Sequence, residues 1–393
     1  MKVAVITRYF PTSHEPWAGH SAYQTLRFLA QRCEVKVFYP ESDYPALLKP
    51  KSRVDRSIDF NYKVPGVEAQ YIHYPTLPAV SRPLNGWVSA RSVLPYVRRF
   101  QPDVILNYIV YPDGFAALRV GKALGVPVVV TAIGSDLNKI SDPLCRVLTR
   151  KVLREADGVI TVSGDLLKTA RGLGASAERS RAILNGCDTS VFFHRDRREA
   201  RRLLKIEEEG EAIVYVGRLD VAKGLRELIE AVARLRVERP QVHCYIVGDG
   251  PDKAILVEAI AKHDVSRWVT LVPACPTGQV AWWMAAADLV TLPSYREGCP
   301  NVVIEALASG RPVVASDVGG IPELMDDSAG RMVPAKDAEA LAVALGEVLT
   351  RPWDPGEIAG RHSRNWSNVS DDVQSVLEQV LARRAGSARK SLD

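Results

Sequence analysis

Short runs of β-branched residues alternate with amphipathic helical patterns along the whole chain of 393 residues. In the first half the predicted strands are VAVIT, EVKVFY, AQYIHY, DVILNYI, PVVVTAI and GVITVS. The second half repeats the scheme with AIVYVG, VHCYIVG, WVTLV, DLVTLP and PVVASD. Continuous apolar strands separated by amphipathic helices are typical of parallel sheets that are covered on both faces. The pattern therefore predicts an α/β protein with two doubly wound domains.

The length suits two domains, each large enough to have its own core. The segment FFHRDRREARRLLKIEEEGE, near residues 190–210, is polar and highly charged, so we place the break there. We expect a first Rossmann-like domain over 1–190 and a second over 191–366. A last helix is predicted at about 367–385 and is expected to pack back onto the first domain. Open parallel sheets bind ligands at the carboxyl ends of their strands, so two domains facing each other would hold the ligands in a cleft.

The charge is uneven along the chain. Through residue 190 there are 25 Lys and Arg against 16 Asp and Glu, whereas the remainder holds 26 against 30. A basic first half can be ordinary solvated surface, or it can meet an anionic membrane or an acidic acceptor. No basic run with interleaved aromatic residues occurs, so the sequence does not favour nucleic acid as a partner.

The sequence also constrains the cellular location. Its apolar runs are too short to span a bilayer, and the N-terminus begins at once with a predicted strand and no cleavable signal pattern. Six cysteines are scattered without metal-ligand spacing, which is typical of reduced thiols. We therefore expect a cytoplasmic protein.

The most informative local motif is EGCPNVVIE, in which Glu297 and Glu305 bracket the predicted start of a helix. Pro300 fits the first turn, where its missing N–H would be unpaired anyway. The free N–H groups of a helix N-terminus attract anions, and nearby carboxylates accept hydrogen bonds from hydroxyl groups. The combination suits a diphosphate between two sugars, as in a nucleotide sugar. Glutamates near a helix N-terminus also favour the helix dipole without any function, so this motif needs support from the rest of the chain.

A second candidate motif is VGRLDVAKGL, at the first predicted strand of the second domain. Gly217 ends the strand, and Arg218 and Lys223 lie in the turn before a helix that buries its apolar face. Two cations at such a position could hold a diphosphate, although a pair of exposed surface cations is the simpler alternative. We favour the functional interpretation because EGCPNVVIE occurs in the same domain.

Several other chemistries lack their motifs. The turn at Gly248–Gly250 has no third glycine at dinucleotide spacing, and no G-x-x-x-x-G-K-[ST] loop exists. Neither an Asp-x-Asp pair nor a His-x-x-x-His pair occurs, so the sequence predicts no metal site. We therefore expect no cofactor, and the nucleotide sugar would be a substrate.

Taken together, these motifs resemble the retaining nucleotide-sugar glycosyltransferases of family 4, which have the two-domain GT-B fold. The resemblance covers nearly the whole chain and is strongest from Gly217 to Pro334. The matching stretches are VGRLDVAKGL, GDGP, DLVTLPSYREGCPNVVIEALASGRPVVASDVGGIPEL and AGRMVP, with GSDLN, ADGVITVS and NGCDTSVF in the first half. Separated motifs in the right order are more specific than any one of them.

The resemblance implies roles for the matching positions. Arg218 and Lys223 would grip the donor diphosphate, Glu297 would contact the transferred sugar, and Glu305 would accept from the ribose hydroxyls. The backbone that would cradle diphosphate and sugar comprises Gly298, Cys299, Pro300 and Asn301. In the first half, Gly19 would allow close approach of the backbone to the donor. Asp136 would face the acceptor, although a turn or helix-capping role is an equal alternative.

Two positions depart from the family pattern. Many relatives have two glycines where this chain has Ala18 and Gly19, and many have a His or Arg where it has Ile133. An isoleucine side chain cannot make the expected polar contact with the sugar. His14 or His20 could substitute for it, although loop histidines are usually only solvated.

The resemblance predicts a metal-independent retaining hexosyltransferase. Its donor would be a UDP- or GDP-sugar, and its acceptor a glycan or lipid-linked molecule in cell-surface polysaccharide synthesis. The alternatives are a transferase with a soluble small acceptor, a sugar-nucleotide epimerase or hydrolase on the same scaffold, and a nucleotide-sugar binding protein without activity.

Overall fold

The computed structural model describes residues 1–45, 58–77, 82–138, 140 and 142–390. Its internal contacts divide the chain into two units, of which the first comprises Met1–Leu184 with Trp366–Asp393 and the second Asn185–Asn365. The first unit thus ends at Leu184 rather than at the expected residue 190. The chain returns to it at Trp366.

The first unit is built on a seven-stranded sheet. Its strands are β1 (Lys2–Ile6), β2 (Glu34–Asp43), β3 (Glu68–Pro75), β4 (Val104–Tyr108), β5 (Val128–Ala132), β6 (Gly158–Thr161) and β7 (Ser180–Ala182). They lie in the order β3-β2-β1-β4-β5-β6-β7, and every pairing is parallel. The strand order reverses between β1 and β4, which is where open α/β sheets usually bind ligands.

The second unit is built on a six-stranded parallel sheet. Its strands are β8 (Glu211–Val216), β9 (Val242–Val247), β10 (Val269–Val272), β11 (Leu289–Leu292), β12 (Val313–Ser316) and β13 (Gly330–Val333). They lie in the order β10-β9-β8-β11-β12-β13, with the reversal between β8 and β11. The prediction of two parallel, Rossmann-like sheets is confirmed. The short edge strands β7 and β13 were not predicted, because neither has a run of β-branched residues.

Helices connect the strands in both units. They are α1 (His20–Leu29), α2 (Asn85–Phe100), α3 (Phe115–Leu124), α4 (Ser135–Asn138), α5 (Pro143–Glu155), α6 (Gly164–Gly172), α7 (Arg197–Leu204), α8 (Leu225–Leu235), α9 (Lys253–Lys262), α10 (Thr277–Ala286), α11 (Asn301–Ala308), α12 (Ala338–Thr350), α13 (Pro355–His362) and α14 (Trp366–Lys390). Among the residues just described, no helix is both long and apolar enough to cross a membrane.

The charged segment near residues 190–210 contains the helix α7 and belongs to the second unit. The helix is fixed by Arg201, which is only 1% exposed. Its guanidinium donates to the carbonyl oxygens of Ala286 and Glu208 at 3.0 and 2.8 Å and pairs with Asp288 at 2.5 Å. The polarity of this segment led us to expect a domain boundary here. Polarity alone does not reveal that Arg201 is buried and that its guanidinium is paired.

The last helix, α14, packs on the first unit. Its buried face includes Leu377, which is fully buried, and Trp366, which is 1% exposed. Arg32, just after α1, pairs with Asp371 and donates to Ser370 Oγ at 2.7 Å. These contacts explain why the final helix groups with residues more than 180 positions earlier rather than with its neighbours in sequence.

Candidate active site

Loops that follow β8, β9 and β11 meet at the carboxyl edge of the second sheet. The Leu219 N–H donates to the Asp249 carbonyl at 3.0 Å, and the Tyr295 N–H donates to the Ala222 carbonyl at 2.9 Å. The Asp252 carboxylate accepts from the Val221 N–H at 2.7 Å. Because these contacts join backbone to backbone or to a short side chain, they hold the loops in a defined arrangement.

Two of the predicted site residues are in direct contact within this arrangement. Lys223 Nζ lies 2.7 Å from Glu297 Oε1, and their side chains are 29% and 11% exposed. The two residues are 74 positions apart in the sequence. The predicted diphosphate cation is thus held by the carboxylate that was predicted to contact the sugar.

Arg218 and Gly217 lie at the end of β8. The Arg218 side chain is exposed, and none of the residues described in the structure is its hydrogen-bond or salt-bridge partner. Its carbonyl oxygen accepts from the Tyr215 hydroxyl at 2.9 Å. A side chain on Gly217 would collide with that hydroxyl, since an added Cβ would lie 2.7 Å from it. The backbone of Arg218 is therefore fixed while its guanidinium is available to a ligand.

The N-terminus of α11 lies directly after Glu297. The helix begins at Asn301, with Pro300 as its N-cap. The backbone N–H groups of Gly298, Cys299 and Asn301 donate to no other residue within the described ranges. Such groups at a helix N-terminus form an anion site. Burial raises the pKa of the Cys299 thiol to about 12, so this cysteine stays uncharged at neutral pH.

Glu305 lies in the second turn of α11. Its side chain is partly exposed, and no other described residue forms a hydrogen bond or salt bridge with it. Burial raises the pKa of its carboxyl to about 7. The pKa of the buried Cys187 thiol is raised to about 12, mainly by burial and in smaller part by the Glu305 carboxylate. Because the Glu305 carboxylate has no such partner among the described residues, it gains hydrogen bonds if a ligand brings hydroxyl groups to it.

Sequence reasoning did not single out Gly319 as a site residue, although it belongs to the matching stretch DVGG. Its φ is +58°, and an added Cβ would lie 1.9 Å from the Glu297 carbonyl oxygen. Only glycine combines this backbone conformation with so close an approach. The signal that could have found it is the glycine pair in the loop after β12, the strand next to β11.

Of the residues predicted in the first unit, Gly19 caps the start of α1 with φ +62°. An added Cβ there would lie 2.3 Å from the carbonyl carbon of Tyr9, so packing within this loop already requires glycine. His20, the first residue of α1, packs its ring edge-on against the Trp366 indole with centroids 6.0 Å apart. His14, which lies in the loop before α1, is exposed.

Asp136 lies in the short helix α4, and its carboxylate is occupied by the backbone. Oδ2 accepts from the Val110 N–H at 2.9 Å, and Oδ1 accepts from the N–H groups of Ile133 and Gly134 at 3.1 and 2.9 Å. Burial raises the pKa of this carboxyl above its ordinary value, against the lowering effect of these hydrogen bonds. The contacts favour the turn-stabilising role over acceptor recognition. The Ile133 side chain packs against the apolar core of the first unit.

The predicted site residues therefore lie in two groups. Those after β8 and β11 share one edge of the second sheet, whereas Gly19 and Asp136 belong to the first unit. Within the described parts of the chain, no group of three or more His, Cys, Asp or Glu side chains could hold a metal ion. Metal independence itself stays a prediction.

Two parallel, Rossmann-like sheets, with a cation–carboxylate pair and a free helix N-terminus at the carboxyl edge of the second, fit a glycosyltransferase with the GT-B fold. The family "Glycosyltransferase Family 4" matches residues 18–191, and "Glycosyl transferases group 1" matches residues 210–351. TuaC of Bacillus subtilis (strain 168) is 31% identical over 391 residues, which are 96% of this chain and 94% of TuaC. The name of TuaC describes a glycosyltransferase of teichuronic acid biosynthesis and marks this assignment as provisional. The chain belongs to the group 1 glycosyltransferases, which confirms the resemblance drawn from the sequence.

Other relatives are similar over less of their length or only in fold. The D-inositol 3-phosphate glycosyltransferase of Mycobacteroides abscessus is 31% identical over 244 residues, which are 59% of this chain and 54% of that protein. The structure of sucrose-phosphate synthase from Thermosynechococcus elongatus superposes with a TM-score of 0.72 at 22% identity, covering 100% of this chain and 99% of that one. Anabaena HepE in complex with UDP-glucose gives a TM-score of 0.69 at 18% identity, covering 98% and 99%. These structural likenesses confirm the GT-B fold.

Proposed function

We propose that the chain is a retaining hexosyltransferase that moves a hexosyl group from a UDP- or GDP-sugar to a glycan or lipid-linked acceptor. The proposed setting is the synthesis of a cell-surface polysaccharide, in the cytoplasm or at the inner face of the membrane. The observation that carries the proposal is the Lys223–Glu297 contact at 2.7 Å, beside the free N–H groups that begin α11.

The charge at this site suits a departing diphosphate. Arg218 has no partner among the described residues, and we propose that the Lys223 ammonium moves from Glu297 to a phosphate oxygen when the donor binds. Fixed positive charge and N–H dipoles stabilise a transition state more than a ground state when negative charge grows on the leaving group. These groups supply positive charge without a metal ion, so we propose that none is required.

The proposed reaction forms one bond and breaks one. The acceptor hydroxyl oxygen attacks the anomeric carbon on the face from which the diphosphate leaves, and the bond from that carbon to the phosphate oxygen breaks. The departing phosphate oxygen takes the proton of the acceptor hydroxyl. Glu297 would contact the hydroxyls of the transferred sugar, and Glu305 those of the ribose.

The name of TuaC supports a polysaccharide acceptor, since that relative matches almost the whole chain. The name of the D-inositol 3-phosphate glycosyltransferases favours a soluble acceptor instead, but the match with the Mycobacteroides abscessus protein covers only 54% of it. We therefore propose the glycan or lipid-linked acceptor and keep the soluble small molecule as the alternative.

A face of α2 supports the membrane location. Leu84, just before α2, and Trp87, Arg91 and Arg98 within it follow one another at helical spacing and are exposed, and α2 contains no acidic residue. An exposed tryptophan beside arginines is the composition of a surface that lies on anionic lipid headgroups. We propose that this face brings the first unit to a membrane that carries the acceptor.

The donor can be identified by thermal shift with UDP-, GDP- and ADP-sugars. Stabilisation grows with the ratio of ligand concentration to dissociation constant, so the donor should raise the melting temperature more than the others do. Product analysis with and without candidate acceptors then separates transfer from hydrolysis and from epimerisation of the donor sugar. The proposal fails if no nucleotide sugar stabilises the protein.

The same assay tests the residues. Arg218→Ala and Lys223→Ala should each lower kcat/KM about 10²- to 10³-fold, the usual effect of losing one fixed donor to a developing charge. Lys262→Ala, at an exposed lysine in α9, is the matched control and should retain wild-type activity. Near-normal turnover in both site variants would remove this assignment.

A further inference from the structure

Asn185, the first residue of the second unit, contacts the loop proposed to hold the donor diphosphate. Its backbone N–H donates to Cys299 Sγ at 3.3 Å. Its side-chain amide donates to the Cys299 carbonyl oxygen at 3.1 Å and to Asn301 Oδ1 at 2.8 Å. Asn185 is 9% exposed, so these hydrogen bonds are largely shielded from water. One side chain thus holds the residues on both sides of Pro300.

The segment that begins at Asn185 is also joined to the place where the chain leaves the second unit. The Cys187 N–H donates to the Arg364 carbonyl at 2.8 Å, and Cys187 forms a parallel bridge with Asn365. Gly186 packs so closely that an added Cβ would lie 2.7 Å from the Asn365 carbonyl carbon. The second unit therefore begins and ends in two segments that are fixed to each other.

The direction of the free N–H groups at α11 depends on the residues that Asn185 holds. Pro300 has no N–H, so the groups before it belong to Gly298 and Cys299 and the first one after it belongs to Asn301. An N–H dipole stabilises an anion only if it points at it, and the conformation at Cys299 and Asn301 sets where these groups point.

We propose that Asn185 is a positioning residue that holds the N-terminus of α11 in its anion-binding geometry and couples it to the connecting segments at residues 185–187 and 364–365. The inference rests on the proposed function of this loop as the diphosphate site. It adds a residue that would act through the loop it holds, by its contacts with Cys299 and Asn301. It also gives a physical route by which donor binding reaches the two places where the chain passes between its units.

The test compares Asn185→Ala with the wild type and with Asn61→Ala, a matched control at an exposed asparagine of the first unit. Binding of UDP and of GDP is measured by calorimetry, and kcat and KM for the donor are measured separately. We expect Asn185→Ala to raise the nucleotide dissociation constant and the donor KM about tenfold, which corresponds to losing one or two hydrogen bonds. Asn61→Ala should match the wild type.

Hydrogen exchange provides a readout that lost stability alone would not reproduce. In Asn185→Ala without ligand, the hydrogen-bonded amides of residues 303–305, in the first turns of α11, should exchange faster while those of β8 and β11 stay protected. In the wild type, nucleotide should slow exchange at Cys187 and Asn365 as well as at the loop. Asn185→Ala should retain little of that effect at Cys187.

The outcomes separate the two proposals. If the wild type binds neither nucleotide, the proposed function fails, whereas exchange at residues 303–305 without ligand still tests the positioning role. If Asn185→Ala binds nucleotide as the wild type does and its amides at residues 303–305 exchange at the wild-type rate, the positioning role is wrong. Should Asn185→Ala fail to fold, Asn301→Ala removes the 2.8 Å contact and leaves Asn185 in place. A wild-type dissociation constant in that variant would equally overturn the inference.

Discussion

Lys223 and Glu297 neutralise each other at the proposed donor site before any ligand is present. Their side chains are 29% and 11% exposed, so the pair is neither an ordinary surface contact nor a buried one. Exposed ion pairs contribute about 0–1 kcal/mol to stability, and this one is better explained as a means of orienting the lysine. Removing Glu297 would therefore free Lys223 as well as remove the proposed contact to the sugar.

Glu305 gives the site a pH dependence. Burial raises the pKa of its carboxyl to about 7. Between the ordinary carboxyl pKa and about pH 7, the folded, unliganded protein therefore holds a proton on Glu305 that the unfolded chain releases. The stabilisation from this proton is complete below the ordinary carboxyl pKa and is lost as pH rises through about 7. Ribose hydroxyls that donate to the carboxylate would favour the ionised form and lower its pKa.

We therefore predict that nucleotide binding releases about half a proton at pH 7, because roughly half of the Glu305 carboxyls are protonated at a pH equal to their pKa. The release should approach zero above pH 8, and affinity should weaken as pH falls below 7. Calorimetry in buffers of different ionisation enthalpy measures the proton count. Glu305→Gln should abolish both the release and this pH dependence. A proton count that is the same in the variant would assign the titration to another group.

Single residues also show how far sequence reasoning reached. Glu297, Pro300 and Glu305 could be placed around a helix start because they lie within nine positions of one another. Asn185 could not be placed, because its contacts to Cys299 and Asn301 span 114 and 116 positions. No local periodicity encodes a contact of that separation.

Among the elements, α8 and α11 were predicted well because each has a strong apolar pattern. The helix predicted after Lys223 does bury its apolar face, which includes Leu225, Leu228 and Val232. The helix predicted to start within EGCPNVVIE begins at Asn301 and ends at Ala308. In contrast, α7 was hidden in a charged run, since its burial depends on Asp288 and on carbonyl groups supplied by distant elements.

The exposed face of α2 allows a prediction at this scale. The triple variant Arg91→Gln, Arg98→Gln, Arg99→Gln removes the two arginines of this face and the exposed Arg99 beside it. It should bind anionic vesicles about a hundredfold more weakly than the wild type, because each cation near such a surface contributes about 1 kcal/mol. Flotation with phosphatidylglycerol-containing vesicles at low and high salt measures the binding.

The matched control replaces three exposed cations of the second unit, Arg198, Arg202 and Lys205, with Gln. This variant should float with the vesicles as the wild type does. If both triple variants lost vesicle binding equally, the binding would depend on the overall charge of the protein rather than on the exposed face of α2. Wild-type protein that does not bind anionic vesicles at low salt would remove the proposed membrane face altogether.

On the scale of the whole molecule, the chain completes the first unit only after it has built the second. Residues up to Leu184 form the first sheet, Asn185–Asn365 form the second unit, and α14 then packs on the first. The sequence predicted this return through a final amphipathic helix. It did not predict that the second unit begins and ends at two segments joined by Cys187 and Asn365.

The return of α14 can be tested with Leu377→Ala. This side chain is fully buried in the core of the first unit, so its truncation should lower the free energy of unfolding of that unit by about 2–5 kcal/mol. Nucleotide binding by the second unit should be unchanged. Scanning calorimetry with and without UDP or GDP measures both effects, and Glu378→Ala, at the exposed neighbouring position, is the control. An unfolding transition that stays at its wild-type temperature would mean that α14 contributes little to the first unit.

The sequence by itself determined the two parallel sheets and the motif proposed to bind the donor, because both are encoded by residues that are close along the chain. Strand and helix periods repeat within a few residues, and EGCPNVVIE contains a carboxylate, a helix start and a second carboxylate in one short stretch. Only the tertiary structure decided the Lys223–Glu297 pair, the support of α11 by Asn185 and the packing of Gly319 on Glu297. These contacts join loops from different strands, and their geometry follows from strand order and backbone packing rather than from any local pattern.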